Sequence, residues 1–306
     1  MDQTTRPNDP DGNKRIRILA AWALMLLVSD VPDILSHHAC GSVPVWLFWI
    51  KMGLIAVFAL ACPLVKSIRP LWQFAVVFLV FYVAIQTSAW VGDTSWWQGR
   101  FGGSEVSFTS GYVGIYIRDV GLALAVIATL WVLKRRRSEF FLVTGRLDAP
   151  IEPVRWLGIR AGESWRTFGW IIALIAGAGV AIPMALSARP TIETLSRAAP
   201  LLPAALLFAA VNAFTEEIYF RASFLSTLHE LVGKQHALLI TSVYFGLNHW
   251  LYGSPPGLVG FLMTGFLAWL LAKSMLETKG LLWPWFIHFV PDAVIFATYA
   301  ILWVQR

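Results

Sequence analysis

Two adjacent glutamates and an arginine interrupt a long apolar run at Phe214-Thr215-Glu216-Glu217-Ile218-Tyr219-Phe220-Arg221. Further along, His249 closes Phe245-Gly246-Leu247-Asn248-His249, and His288 and Asp292 bound His288-Phe289-Val290-Pro291-Asp292. A carboxylate takes a proton from water, an imidazole holds or passes one, and a guanidinium fixes a neighbouring carboxylate. Together they could activate a water, held by protein groups alone or by a metal ion, or relay protons.

Helical phase divides these residues. Glu217 and Arg221 are four apart and share a face in the favourable Glu-to-Arg direction, so they are expected to pair. Glu216 is turned about 100° away from Glu217 and is left for another partner. His288 and Asp292 also share a face, as do Phe245 and His249.

Such side chains need strong compensation, because a charge at the centre of a helix in lipid costs about 2.5 to 3.5 kcal/mol on insertion scales. The surroundings are lipid-like: of 306 residues, 57% are hydrophobic and 14% charged. Apolar runs of about 20 residues, long enough for a hydrocarbon core, recur at 16–36, 43–65, 69–91, 111–133, 167–187, 199–228, 236–252, 257–276 and 280–304. The expected fold class is therefore all-α, a polytopic transmembrane helix bundle of about nine spans, with eight as the lower count. Along these spans Glu216 and Asp292 each lie about 18 Å, and His249 about 20 Å, from the same-side helix end, with His288 one turn nearer that end at about 12 Å. Three separate helices deliver polar groups to one level.

The net charge of +6 does not indicate nucleic acid, since the basic residues gather between spans rather than on a soluble face. Lys14, Arg15 and Arg17 precede the first span, Lys66 and Arg69 join the second and third, and Lys134, Arg135, Arg136 and Arg137 follow the fourth. The positive-inside rule then puts the N-terminus in the cytosol of a plasma-membrane protein; Arg189 and Arg197, in an assigned outer loop, run against that pattern. Cys40 and Cys62 would lie toward opposite faces, too far apart for a disulfide. Lys51 is expected to pair with Asp30 or Asp33, and Arg118 and Asp119 to find separate partners.

Four regions follow: a disordered cytosolic tail at 1–15, a four-span region at 16–133, an interfacial linker at 134–166, and a five-span region at 167–306. In the linker, Phe140, Phe141, Trp156 and Trp165 alternate with arginines, a composition suited to the headgroup level.

The order EExxxR, FxxxH and HxxxD on successive membrane helices resembles the CPBP family of intramembrane proteases (Abi, or CAAX protease and bacteriocin-processing), over about 200–300. That family includes the type II CAAX prenyl endopeptidases. The resemblance implies an endopeptidase acting on a membrane-associated protein or peptide, lipidated or not, with the bilayer and that substrate as partners. It implies Glu216 as the base that activates water, Glu217 and Arg221 as its support, and His249 near the scissile carbonyl. This chain carries Asp292 where the prenyl endopeptidases have Asn, and an ionised Asp donates no hydrogen bond. The cofactor expectation stays two-sided: none, or a divalent metal such as Zn²⁺ with Glu216, His249, His288 and Asp292 as candidate ligands.

Two rivals remain at this level. Intramembrane carboxylates and imidazoles also line transport and proton-relay paths, although no internal repeat is evident here. A non-catalytic immunity or scaffold protein would keep the same residues for folding.

Overall fold

The computed structural model describes residues 11–103, 105–253 and 255–306. Thirteen α-helices run through them: α1 Asp11–Val28, α2 Val31–Cys40, α3 Val45–Ala61, α4 Trp72–Asp93, α5 Ser95–Phe101, α6 Phe108–Val132, α7 Trp165–Ala188, α8 Ile192–Ala198, α9 Leu202–Glu216, α10 Ser223–Val232, α11 Lys234–Tyr252, α12 Gly257–Thr278 and α13 Leu282–Val304. A π-helical segment, Glu217–Ala222, joins α9 to α10. Among the described residues, pairing of β type is confined to two isolated bridges, Pro150 with Ser164 and Val154 with Ile159. The protein is an all-α polytopic membrane protein.

Eight helical stretches among the described residues are long and apolar enough to cross a membrane. They match eight of the nine expected spans. The ninth, at 236–252, is helical as α11 but less apolar, because Lys234, Gln235, His236, Thr241, Ser242, Asn248 and His249 interrupt it. Of the expected tail at 1–15, residues 1–10 lie outside the described residues, and 11–15 already belong to α1.

The chain forms two compact units. The first comprises the described residues up to Tyr82 together with Ser223–Trp269. Here the helix break between α1 and α2 meets Lys51 of α3, whose Nζ is ion-paired with Asp33, donates to the Ser29 carbonyl across 3.2 Å and lies 3.9 Å from Asp30. Lys51 thus engages both aspartates and one carbonyl that the break leaves without its helical donor. In the same unit Phe78, Phe224 and Tyr244 pack edge to face or tilted, with centroids 4.9 to 5.3 Å apart. Cys40 and Cys62 are both free thiols.

The second unit comprises Val83–Ala222 and Leu270–Arg306. Its centre is α13, which packs on α7 and α9. Buried Gly169, Ala173 and Gly177 form a small-residue seam on α7. A Cβ on Gly169 would fall 2.3 Å from the Trp283 ring, and one on Gly177 would fall 2.8 Å from Val290. Without a hydrophobic drive between helices in lipid, such seams let dispersion contacts form over the whole length. On the other side Ala205, Phe208 and Ala209 of α9 pack with Phe108 and Tyr116 of α6 and with Phe296 and Ala300 of α13.

The aromatic residues of the linker at 134–166 differ in burial. Trp156 is exposed, but Phe140, Phe141 and Trp165 are buried. The segment folds onto the turn between α12 and α13: Arg146 N–H donates to the Thr278 carbonyl across 2.7 Å, and Leu281 N–H to the Val143 carbonyl across 2.8 Å. Gly145, at φ +79°, approaches Gly280 so closely that a Cβ on either would meet the other's backbone at 2.7 Å or less. Trp165 Nε1 reaches Glu277 across 2.9 Å, and Glu277 is also ion-paired with Lys273. Aromatic residues among arginines served to anchor the start of α13, which carries His288 and Asp292.

Candidate active site

Glu216 is the last residue of α9, and there the helix changes pitch. The Glu217 N–H bonds to both the Ala213 and the Phe214 carbonyls, four and three residues back, and the wider π turn follows over Glu217–Ala222. Single π turns are rare and gather at functional sites. Within this one Glu217 and Arg221 are wholly buried, and Arg221 Nη1 lies 3.3 Å from Glu217 Oε1. The pair expected from four-residue spacing is present.

His288 of α13 completes it. Its Nδ1 stands 2.9 Å from Glu217 Oε1. An ionised carboxylate only accepts, so the ring hydrogen belongs on Nδ1, and this assignment also orients the imidazole. The opposite nitrogen, Nε2, then faces two further carboxylates, with Glu216 Oε2 at 3.5 Å and Asp292 Oδ2 at 3.7 Å. Glu216, which cannot share the Glu217–Arg221 face, finds its neighbour here.

Exposure separates the two glutamates. The Glu216 side chain is 21% exposed, against 0% for Glu217, 7% for His288 and 9% for Asp292. Glu216 is the least buried carboxylate in this group, while Glu217 is held between a guanidinium and an imidazole. A buried ion pair contributes little net stability, but stripping one partner leaves a desolvated charge costing about 3 to 5 kcal/mol.

Two members of the cluster carried no role in the sequence reading. Asn212 of α9 donates from Nδ2 to Asp292 Oδ2 across 2.9 Å. Tyr116 of α6 donates its hydroxyl hydrogen to Asn212 Oδ1 across 3.2 Å. Asn212 sits one helical turn before Glu216, so a polar residue four positions from the motif was the available signal; Tyr116 offered none. Phe245 and His249 lie on α11 in the first unit. There His249 Nδ1 donates to the Phe245 carbonyl across 2.9 Å, and the two rings are 4.6 Å apart. The second unit thus brings Glu216, Glu217, Arg221, His288 and Asp292 together, and His249 belongs to the first.

As a metal cage this arrangement is a poor fit. Among the described residues no three His, Cys, Asp or Glu side chains are disposed to hold an ion.

No curated protein and no solved structure matches the chain. One family model does match, over residues 198–294, and its description is type II CAAX prenyl endopeptidase Rce1-like. The matched stretch contains Glu216, Glu217, Arg221, His249, His288 and Asp292, and leaves out Tyr116 with the rest of α6. Over that stretch, and not over the helices before it, the chain is similar to the Rce1-like type II CAAX prenyl endopeptidases.

Proposed function

We propose that the protein is an intramembrane endopeptidase that hydrolyses a peptide bond in a membrane-associated protein or peptide, using water activated by Glu216. The observation that carries this reading is the split between the adjacent glutamates. Glu217 is wholly buried and held by Arg221 and His288, whereas Glu216 stays partly exposed on the other side of the same imidazole.

In this reading Glu216 takes a proton as the water oxygen forms its bond to the scissile carbonyl carbon. The proton then passes to the amide nitrogen as the C–N bond breaks, leaving a new carboxyl and a new amine. A low-dielectric site suits such a base, since a carboxylate withdrawn from water holds a proton more readily. Glu217 and Arg221 keep His288 in place behind Glu216, Asp292 orients the same ring, and His249 supplies a further essential imidazole. The N-terminus is cytosolic and the host membrane is the plasma membrane, in keeping with the basic connections before α1, between α3 and α4, and after α6.

The test is cleavage by the purified protein, in nanodiscs, of membrane peptides that accumulate in cells carrying Glu216→Gln. Wild type cleaves them, and Glu216→Gln and His249→Ala do not, although both fold. Equal cleavage by wild type and Glu216→Gln removes Glu216 from the chemistry. Loss of ion flux in proteoliposomes by the same variants, with no hydrolysis by wild type, favours the transport reading instead.

A further inference from the structure

Tyr116 lies in α6, outside the stretch that matches the family model, yet its hydroxyl ends a hydrogen-bonded chain that reaches the centre of the candidate site. The direction of that chain follows from Asp292. An ionised carboxylate only accepts, so the Asn212 atom facing it must be Nδ2. Oδ1 is thereby turned toward α6, and the Tyr116 hydroxyl must donate to it. Tyr116 itself is buried, packed in the aromatic cluster with Phe208 and Phe296, so its hydroxyl is held in place by the ring.

We propose that Asn212, with its amide oriented by Tyr116, is a positioning residue for the hydrolytic site, and that α6 thereby takes part in building it. The amide donates to Asp292 Oδ2, the oxygen that lies 3.7 Å from His288 Nε2. It fixes the carboxylate as an acceptor against the ring and sets the rotamer of His288 between Asp292 and Glu216. Asn212 also hydrogen-bonds the Glu216 carboxylate, so its influence passes to Glu216 directly and, through Asp292, to His288. This inference rests on the proposed peptidase reading.

Four full-length variants in nanodiscs test it: Tyr116→Phe, Asn212→Asp, Asp292→Asn, and the exchange Asn212→Asp/Asp292→Asn. Tyr116→Phe removes one oxygen and keeps the packed ring. It is expected to lower kcat about tenfold, with KM within about twofold and the thermal midpoint little changed, as loss of one orienting hydrogen bond would. Asn212→Asp sets two carboxylates against each other and is expected to lower kcat about a hundredfold. The exchange restores one donor facing one acceptor, with the Tyr116 hydroxyl still donating, and is expected to regain about tenfold over Asn212→Asp. Wild-type kcat in Tyr116→Phe, or an exchange no more active than Asn212→Asp, overturns the inference while the peptidase reading stands. If Asn212→Asp does not fold, Tyr116→Phe alone decides. Wild type that cleaves none of the accumulated peptides overturns the peptidase reading and this inference with it.

Discussion

His288 donates from Nδ1 to Glu217 Oε1 across 2.9 Å, which turns its Nε2 toward Glu216. One imidazole thus divides two carboxylates adjacent in sequence, and their substitutions are expected to differ in kind. Glu217→Gln should lower the thermal midpoint, because Arg221 loses its charged partner inside the helix cluster, whereas Glu216→Gln should leave the midpoint near wild type. Differential scanning fluorimetry in detergent reads both, and equal midpoints would show that the two glutamates are not divided in this way.

Arg221→Met leaves a buried carboxylate and is expected to destabilise by about 3 to 5 kcal/mol. The double variant Glu217→Gln/Arg221→Met should be less destabilised than the two single effects summed, since it removes both charges together. Unfolding followed by denaturant titration in mixed micelles measures the cycle. Strict additivity would mean that the ion pair seen at 3.3 Å has no energetic coupling.

The seam between α7 and α13 gives a prediction remote from charge. Gly169→Leu forces side-chain atoms into the Trp283 ring, which a Cβ alone would approach to 2.3 Å. Trp283 also donates from Nε1 to the Leu147 carbonyl, so it cannot swing aside without breaking the linker's hold on α13. Overpacking of this sort costs about 1 to 3 kcal/mol. Cleavage should fall as well, because α13 carries His288 and Asp292; a variant with unchanged stability and activity would contradict the packing described.

In the first unit, Lys51→Met leaves Asp33 buried without its cation and is expected to destabilise the protein by about 3 kcal/mol or more. Adding Asp33→Asn should recover part of that loss. Thermal midpoints of the two variants check the order, and a double variant no better than Lys51→Met would leave Asp33 without the assigned role.

Much of the fold was legible because lipid demands long apolar helices, and eight of the expected runs meet that demand. The ninth shows the limit: α11 is a helix of the expected extent, but its polar residues leave it short of the apolarity of the rest. Four-residue spacing gave the Glu217–Arg221 pair directly, since a π turn still leaves those side chains within reach. The turn itself was not legible, because Glu217–Ala222 satisfies an α-helical pattern equally well.

Nor did the sequence place His288 against Glu217. Depth along a helix follows from residue counts, but the rotation of one helix against another depends on seams such as Gly169, Ala173 and Gly177. The opposing surface of that seam, Trp283 and Val290, carries no pattern of its own. The linker's packing was hidden for a related reason: Trp165 and Phe140 beside arginines carry no sign of the turn at 278–281 that the segment meets.

The central claim is that Glu216 activates the water that opens a peptide bond. The most direct measurement is cleavage in ¹⁸O-labelled water by purified wild type and Glu216→Gln in nanodiscs, with products read by mass spectrometry. Wild type should place one labelled oxygen in the new C-terminal carboxyl, and Glu216→Gln, still folded, should yield at least about a hundredfold less product. Labelled product at equal rates from both proteins would contradict it.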